Sequence, residues 1–260
     1  MKRKLKNLRA IVTGASSGIG YATAIELARC GVRVVIVARR EERLQALAEE
    51  IAKLGGRVEC VAGDVTDPDV RRQAIDVART AFGGLDILVN NAGVGATGLF
   101  ETADPQRVRR IMEVNFFALV EMIRLALPLL KAGRTPILVN VGSILGHRGV
   151  PHNSEYSASK FAVQGFSESV RAEFSLLGID VLVVCPGTTE TEFFDNVLEN
   201  TAQPKWPQHA PVSAESVAKE TVKAIRLGRH EIIPYRWGRM LCWLNRLSPR
   251  LVDRIMTRYV

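Results

Sequence analysis

Tyr156 and Lys160 are the residues of this chain whose types and spacing most directly suggest acid–base chemistry. They stand four residues apart in the run Tyr-Ser-Ala-Ser-Lys, with Ser143 thirteen residues upstream. The run is typical of a helix start, where residues at this spacing share one face. A free tyrosine titrates near ~10, and a neighbouring cation favours the phenolate and lowers that pKa. The pair therefore predicts a group able to exchange protons, although a surface helix can carry the same spacing without chemistry.

A glycine-rich turn near the N-terminus separates a short apolar run at 10–12 from a helical pattern at 19–30. Gly14 permits a tight turn, Gly18 lets a pyrophosphate approach the backbone, and Gly20 lets the helix pack closely on the strand. The helix start offers phosphates free N–H groups and a partial positive charge. The arrangement predicts dinucleotide binding, and the alternative is a glycine turn without a ligand.

Seven motifs follow one another along the chain in a specific order. They are Thr-Gly-Ala-Ser-Ser-Gly-Ile-Gly at 13–20, Asp64-Val65, Asn90-Asn91-Ala92-Gly93, Asn115, Ser143, Tyr156 with Lys160, and Pro186-Gly187 followed by Thr191. In their joint order and spacing the chain resembles the single-domain branch of the short-chain dehydrogenase/reductase family over nearly its whole length. One departure is minor, because Gly142 stands before Ser143 where the family often has a second serine.

The resemblance implies a catalytic set of four residues. Tyr156 would exchange a proton with the substrate oxygen, Ser143 would hold that oxygen, and Lys160 would lower the tyrosine pKa and hydrogen-bond the nicotinamide ribose. Asn115 would hold a water that continues the proton relay. Preorganised donors of this kind stabilise the negative charge that develops on a carbonyl oxygen. Two structural alternatives stay open: Asn115 bonded to backbone within an apolar helix, and Ser143 as a turn former.

The resemblance also implies a cofactor site. Its residues would be Gly14, Ser16, Ser17, Gly18, Ile19, Gly20, Arg39, Arg40, Asp64, Val65, Asn91, Ala92, Gly93, Tyr156, Lys160, Pro186, Gly187, Thr189 and Thr191. Asp64 and Val65 resemble the pair that contacts adenine, and the alternative for Asp64 is a helix-initiating acid. Thr191 would hold the nicotinamide carboxamide, or else cap the helix of the next segment.

The end of the second predicted strand bears on the choice of cofactor. It contains Arg39 and Arg40, with no acid before Glu41. An acid near this position holds the ribose 2′-hydroxyl of NAD, whereas a basic residue suits a 2′-phosphate. Arg39, with or without Arg40, can clamp a phosphate with its planar fork. By resemblance the cofactor is NADP (NADPH); the alternative is that both arginines are solvent-exposed residues at a helix start.

Strand-like apolar runs alternate with helical patterns along the chain. The predicted strands are 10–12, 32–37, 58–61, 86–89, 137–141, 180–184 and 231–233, and the predicted helices lie near 19–30, 41–54, 68–82, 105–131, 156–176 and 213–227. This alternation predicts an α/β fold, a single doubly wound Rossmann-type domain over 1–235. Its seven-stranded parallel sheet has the order 3-2-1-4-5-6, with the last strand at an edge. The motifs at strand ends then meet in one crevice at the carboxyl ends of the strands.

Composition excludes several classes. The net charge is +8, but residues 1–9 and 236–260 each carry +5, which leaves −2 for the body and predicts no nucleic-acid cleft. The four cysteines show no CxxC spacing, and no metal site is predicted. His147 and His152 have no acid partner or nucleophile elbow, so they are expected to be loop residues at the pocket mouth. With no apolar run of about eighteen residues, no membrane span is expected. Scattered reduced cysteines favour a cytoplasmic protein.

A long irregular stretch, 187–212, carries Pro204, Pro207 and Pro211. Loops of that length within compact domains are usually functional. Five apolar residues favour a hydrophobic substrate over a sugar, and packing of the loop on itself is the equal alternative. These residues are Phe193, Phe194, Val197, Leu198 and Trp206.

The predicted function is NADP-dependent interconversion of a carbonyl and a secondary alcohol on a small molecule. One alternative within the family is reduction of a 3-oxoacyl thioester on an acidic carrier, which a basic patch beside the pocket mouth would support. An alternative of another class is a non-catalytic dinucleotide-sensing scaffold. The intact set of Ser143, Asn115, Tyr156 and Lys160 argues against that scaffold.

Residues 236–260 are expected to form two short basic amphipathic helices that meet at Ser248-Pro249, a cap followed by proline. Their apolar stripes are Trp237, Met240, Leu241, Leu244 and Leu247, then Leu251, Val252, Ile255, Met256 and Tyr259. One interpretation is packing on the body or on a partner subunit. Members of the family commonly form dimers or tetramers through long helices, here near 105–131 and 156–176. The other interpretation of these two helices is peripheral attachment to the inner face of an anionic membrane, with residues 1–9 contributing.

Overall fold

The computed structural model describes residues 2–193, 197–201 and 210–260. Its strands are β1 (Arg9–Thr13), β2 (Arg33–Ala38), β3 (Val58–Ala62), β4 (Ile87–Asn90), β5 (Ile137–Val141), β6 (Asp180–Val184), β7 (Thr189–Glu190), β8 (Val212–Ser213) and β9 (Glu231–Ile232). Its α-helices are α1 (Gly18–Arg29), α2 (Glu41–Lys53), α3 (Pro68–Phe82), α4 (Arg107–Met112), α5 (Ala118–Lys131), α6 (Ser154–Ser175), α7 (Ala214–Leu227), α8 (Arg236–Leu247) and α9 (Pro249–Met256).

Seven strands form one parallel sheet in the order β3-β2-β1-β4-β5-β6-β9. Ile11 of β1 pairs with Val35 of β2 on one side and with Leu88 of β4 on the other. The chain builds outward from β1 to β3 and then crosses to β4, so the order reverses between β1 and β4. Ligands of such sheets bind at this switch point, outside the carboxyl ends of the strands. The predicted doubly wound fold and strand order are confirmed.

Alternate strand residues build two apolar layers. Ala10, Val34 and Ile87 face one layer, closed by apolar side chains of α1, α2 and α7. Ile11, Val35 and Leu88 face the other, closed by α3, α5 and α6. Because both faces are covered, the central strands are continuous apolar runs, the pattern expected of a buried parallel sheet.

The helix predicted near 105–131 is present from Arg107 to Lys131 and contains a π-helical turn. α4 continues into this turn, Glu113–Phe117, and α5 follows it without a break. A π turn inserts one extra residue into the helical repeat and is frequent at functional sites. It carries Asn115, which is buried. Apolar periodicity predicts the helix but does not reveal the inserted residue.

Strand pairing joins the two ends of the 187–212 segment, which the sequence did not indicate. β7 and β8 pair in parallel, with Thr189 opposite Val212 and Glu190 opposite Ser213. A further bridge joins Thr97 to Asn200. Pro204 and Pro207 lie outside the described residues.

The C-terminal residues form the two predicted helices, α8 and α9, divided at Ser248. The Ser248 side chain makes no capping hydrogen bond, although Pro249 occupies the first helical position as expected. The inner side of α8 packs on the loop after β5: a Cβ on Gly238 would come within 2.7 Å of Ile144. Asn245 Nδ2 donates to the His147 carbonyl at 3.3 Å. Packing on the body therefore accounts for this inner side.

The N-terminal basic residues are less free than their charges suggest. Arg9 is buried in an ion pair with Asp86, at 2.8 Å. Arg3 pairs with Asp180 and donates to the Thr135 carbonyl at 3.0 Å, beside the starts of β5 and β6. α8 instead packs beyond the end of β5. The two basic ends of the chain thus lie at opposite ends of the strands, which argues against one shared surface formed by residues 1–9 and the tail. Within the described ranges, no helix has the length and apolar character needed to cross a bilayer.

Candidate active site

A cavity of about 330 Å³ opens at the carboxyl ends of the central strands. Every residue predicted for the cofactor or for catalysis lines it except Gly20 and Asn115, which lie behind its wall. The lining includes the glycine turn, the ends of β2, β4, β5 and β6, and one face of α6. Motifs separated by more than a hundred residues are brought together here, as the sheet topology predicts.

The glycine turn has the conformation that its sequence demands. Gly14 and Gly18 have φ values of 66° and 58°, in the left-handed region that favours glycine. A Cβ on Gly20 would overlap the Gly14 carbonyl and the Asn91 side chain. Asn91 in turn donates to the carbonyls of Thr13 and Gly14 at 3.0 and 3.1 Å. Asn91 therefore holds the glycine turn in place from the neighbouring strand.

The start of α1 is suited to a phosphate. Ser17 at the cap position makes no capping hydrogen bond with its side chain, so the first N–H groups of the helix are not satisfied by that side chain. A Cβ on Gly18 would lie 2.9 Å from Thr191, which places Thr191 directly over the turn. Thr191 Oγ1 accepts a hydrogen bond from the Phe193 N–H at 3.3 Å, a local turn rather than a helix cap. These features fit the pyrophosphate of a dinucleotide.

Arg40, rather than Arg39, lies across the glycine turn. Its guanidinium donates to Ser17 Oγ at 2.8 Å, to Ser16 Oγ at 3.2 Å and to Glu192 at 2.8 Å. Arg39 extends outward, 4.0 Å from Asp64. Both arginines are exposed, and both line the cavity.

Asp64 does not initiate a helix. Its carboxylate accepts hydrogen bonds from the N–H and the hydroxyl of Thr66, each at 2.9 Å. Asp67 caps α3, accepting from Asp69 N at 2.8 Å, with Pro68 at the first helical position. The helix-initiating alternative for Asp64 is therefore wrong, and Asp64 lines the cavity with Val65.

The structure brings Ser143, Tyr156 and Lys160 together at the inner end of the cavity. Lys160 Nζ donates to the Val141 carbonyl at 2.9 Å and lies 5.6 Å from the centre of the Tyr156 ring. Burial lowers the pKa of Lys160 to about 8. The ammonium group is thus held beside the phenol by the end of β5.

The pKa of Tyr156 moves opposite to the sequence expectation. Burial raises it to about 12, and a hydrogen bond with Ser143 offsets only part of that rise. The raised pKa differs from the expected lowering, because desolvation of the phenolate outweighs the hydrogen bond with Ser143. The phenol is consequently protonated at neutral pH. Ser143 Oγ also accepts from Leu145 N at 3.1 Å, so the turn-forming alternative holds alongside its contact with the phenol.

Asn115 uses its side chain to join two parts of the site. Its Oδ1 accepts from Val94 N at 2.8 Å, and its Nδ2 donates to the Val94 carbonyl at 3.0 Å and to Ser159 Oγ at 2.9 Å. Ser159 donates to the Tyr156 carbonyl at 2.7 Å. The backbone-bonded alternative for Asn115 therefore describes its side chain. Ser159 was not singled out from the sequence, although it lies inside the Tyr-Ser-Ala-Ser-Lys run.

The side of the cavity beyond Tyr156 is apolar. The Phe193 ring lies 5.6 Å from the Tyr156 ring, and Val197 lines the same wall. Leu198 is exposed and does not line the cavity. Phe194 and Trp206, the other predicted lining residues, lie outside the described residues.

Sequence reasoning missed a buried ion pair next to Tyr156. Arg107 donates to Glu155 Oε1 from Nε at 3.0 Å and from Nη2 at 2.7 Å. Its Nη1 lies 3.2 Å from Glu199. The pair joins α4, the start of α6 and the segment after β7. Neither residue belongs to a motif, so no sequence signal identified it.

A second polar cluster lies behind Ser143. Potential metal-ligating atoms of His147, Cys185 and Glu231 all lie within 4.8 Å of one another. Gln164 Nε2 donates to Glu231 at 2.9 Å and Cys185 lies 3.8 Å from Gln164 Oε1, so the cluster is part of a hydrogen-bonded network. Burial raises the pKa of the Cys185 thiol far above its usual range. His147 Nε2 lies 3.6 Å from Glu231, so the expectation that it has no acid partner was wrong, and neither His147 nor His152 lines the cavity.

The family model for short chain dehydrogenases matches residues 9–202. The chain belongs to the short-chain dehydrogenase family. The 11-beta-hydroxysteroid dehydrogenase-like 4A of Arabidopsis thaliana is 37% identical over 93% of this chain and 81% of its own. A 3-ketodihydrosphingosine reductase of Bacteroides thetaiotaomicron is 38% identical over 72% and 65%. Ketoacyl reductase HetN of Nostoc sp. is 30% identical over 94% and 86%.

Two solved structures of the family share the fold. A short-chain dehydrogenase/reductase from Burkholderia phymatum in complex with NAD has a TM-score of 0.86 and 26% identity, covering 96% of both chains. One from Burkholderia cenocepacia in complex with NADP has a TM-score of 0.79 and 32% identity, covering 89% of this chain and 97% of its own. The chain is thus an oxidoreductase acting on alcohol or carbonyl groups, with a cavity suited to a nicotinamide dinucleotide.

Proposed function

We propose that the protein is an NADP-dependent oxidoreductase that reduces carbonyl groups on hydrophobic small molecules. It also oxidises the corresponding secondary alcohols in the reverse reaction. The observation that carries the proposal is the position of protonated Tyr156, between Ser143 on the cofactor side and Phe193 on the apolar side. The names of the steroid and sphingoid relatives agree with an apolar substrate.

The cofactor would be held by the glycine turn, the start of α1 and Lys160, with Thr191 over the nicotinamide side. When bound, a nicotinamide dinucleotide supplies or accepts the hydride, and that chemistry belongs to the cofactor. Arg39 and Arg40 would hold the 2′-phosphate of NADP, because a guanidinium fork pairs with a phosphate through two charge-assisted hydrogen bonds.

The protein's own residues position the carbonyl and move the proton. The hydroxyl groups of Ser143 and Tyr156 donate to the carbonyl oxygen and stabilise its developing charge. Tyr156 then gives its proton to that oxygen, and the nearby Lys160 ammonium stabilises the phenolate that remains. With its pKa raised to about 12, the phenol carries at neutral pH the proton that carbonyl reduction requires.

Asn115 would hold the relay water that restores the proton. Both amide hydrogens of its side chain are already engaged, by the Val94 carbonyl and Ser159. An amide oxygen has two lone pairs, and one of those on Oδ1 accepts from Val94 N. The water must therefore donate to the second lone pair or to the main-chain carbonyl of Asn115.

We propose a homodimer or homotetramer that associates through α4, α5 and α6. Val108 of α4, Phe117 of the π turn and Phe161 of α6 are exposed, and Phe117 packs edge-on against Phe116. Exposed aromatic side chains of this kind are enriched at protein interfaces.

All four cysteines are free thiols, which supports the proposed cytoplasmic location.

A second candidate function is reduction of a 3-oxoacyl thioester delivered by an acidic carrier. Two observations favour it: the arginine-rich α8 packs beside the loop that follows Ser143, and one relative is named a ketoacyl reductase. A dinucleotide-sensing scaffold has no such support, because the acid–base groups are assembled.

The test is NADPH oxidation by the purified protein with a ketosteroid, a long-chain 3-ketone, a 3-oxoacyl thioester and a ketose. We expect turnover with at least one apolar ketone and none with the ketose. Tyr156→Phe is expected to lower turnover by about 10²–10⁴-fold, because it removes the proton donor. Tyr21→Phe is the matched control, since its hydroxyl bonds only Glu50 at 2.6 Å, away from the cavity. Unchanged turnover in Tyr156→Phe with intact NADPH binding would refute the mechanism.

A further inference from the structure

The outer side of α8 is apolar and faces solvent. Met240, Trp243 and Leu247 are 56%, 68% and 64% exposed. Spacings of three and four residues place them on one helical face, opposite Gly238 and Asn245, which pack on the body. Leu251 of α9 is exposed as well. These four residues, Met240, Trp243, Leu247 and Leu251, are called the tail stripe below.

Arginines surround the tail stripe. Six exposed arginines occur in 236–260: Arg236, Arg239, Arg246, Arg250, Arg254 and Arg258. None of the six pairs with a carboxylate in the part of the chain that the structure describes. Asp253, the single acidic residue of the segment, is held by Arg148 at 2.6 Å. The surface therefore combines large apolar side chains with uncompensated positive charge.

We propose that the tail stripe and its arginines bind the surface of an anionic membrane. A helix of this composition lies in the interfacial plane, with its apolar side among the acyl chains and its basic residues at the headgroups. Tryptophan suits that boundary because its ring is apolar and its N–H is polar. Arginine side chains reach outward from a partly inserted helix to anionic headgroups.

A second copy of the chain is the weaker occupant for this surface. A two-fold dimer sets the same patch of each subunit against the other. Here that contact would bring six arginines against six, with Asp253 of each chain already engaged by Arg148. Like charges across an interface cost affinity, whereas anionic lipid neutralises them. An acidic soluble carrier protein would complement the charge of the arginines, but its charge does not explain the exposed apolar side chains of the tail stripe.

The orientation that follows concerns the cavity. α8 packs against Ile144, next to Ser143, so a docked tail stripe holds the carboxyl ends of the strands toward the bilayer. Arg3 is bound at the opposite ends of the strands, beside the starts of β5 and β6, so the basic N-terminal segment is not part of this surface.

The test is flotation of the full-length protein with vesicles of phosphatidylcholine alone or mixed with phosphatidylglycerol, at low and high salt. We expect binding to the anionic vesicles at low salt and weaker binding at high salt. The triple variant Met240→Ser, Trp243→Ser, Leu247→Ser should lower the bound fraction by about tenfold or more, because it removes the inserted apolar area. The control is Leu176→Ser, which alters a side chain that is 89% exposed at the end of α6.

Charge is tested separately, so that the result does not depend on one variant folding. Arg246→Glu with Arg250→Glu should abolish flotation, whereas Lys219→Glu with Lys223→Glu makes the same change in net charge on α7 and should preserve it. The proposal fails if the wild type does not float with anionic vesicles at low salt, or if the folded triple variant binds like the wild type. It also fails if the triple variant lowers the sedimentation mass without lipid, which would make the surface a contact between copies. Capture of an acidic carrier protein without vesicle binding would likewise overturn it.

Discussion

The two ends of the cofactor cavity are built in different ways. At the catalytic end the polar groups are buried: Lys160 is 4% exposed and Asn115 1%. At the other end the side chains of Arg39 and Arg40 are 68% and 40% exposed. The buried groups are bonded to backbone atoms of β5 and of the segment after β4, whereas the arginines bond to other exposed side chains.

The two ends of the cavity differ in how firmly their side chains are held before a ligand binds. Buried polar groups are costly to leave unpaired, so their partners fix them in one position, and burial dominates their pKa values. Exposed ion pairs contribute little to stability and weaken with salt. The catalytic end is therefore set before any ligand binds, while the basic end can rearrange around a phosphate.

The largest effect that would break this comparison is expected at Asn115. Asn115→Leu leaves the Val94 N–H and carbonyl without their partner and removes the donor to Ser159 Oγ, and we expect it to lower the free energy of unfolding by about 3 kcal/mol. Arg40→Ala should change it by less than about 0.5 kcal/mol. Urea unfolding of both variants measures this. Similar values for the two variants would show that the ends do not differ as described.

A smaller effect is expected at the basic end, on cofactor selection. Arg39→Ala and Arg40→Ala should each weaken NADPH binding, with a combined loss of about tenfold to a hundredfold, and leave NADH binding unchanged. Calorimetric titration of both cofactors measures this, and the preference should shrink at high salt. Arg43→Ala is the matched control, because Arg43 is exposed and contacts Glu192 at 3.4 Å but does not line the cavity. Equal dissociation constants for NADPH and NADH in the wild type would remove the argument for NADP.

The smallest effect concerns pH. Because burial lowers the pKa of Lys160 to about 8, its ammonium persists below that pH and is lost above it. For carbonyl reduction, kcat/KM for NADPH reports the free enzyme, so it should be flat below pH 8 and fall about tenfold per pH unit above it. Lys160→Arg should retain its charge and remove that fall, at a lower rate. A wild-type profile that stays flat well above this pH would contradict the assignment.

Much of the fold and of the site follows from local sequence. Continuous apolar strands alternating with helices leave few topologies, since crossovers are right-handed and ligands bind at the carboxyl ends of the strands. The glycines at positions 14 and 18 indicate a left-handed backbone, because glycine adopts it without steric cost. The spacing of Tyr156 and Lys160 places both side chains on one face of α6.

Only the tertiary structure decided the electrostatics and the partners. The pKa of Tyr156 is raised because protein atoms from distant strands and loops surround its phenol, and this desolvation outweighs the hydrogen bond with Ser143. The π turn at Asn115, the Arg107–Glu155 pair and the placement of Arg40 over the glycine turn all depend on contacts between remote segments. The composition of the two basic ends is alike, but they lie at opposite ends of the strands, because the chain enters β1 at its amino end and leaves β9 at its carboxyl end.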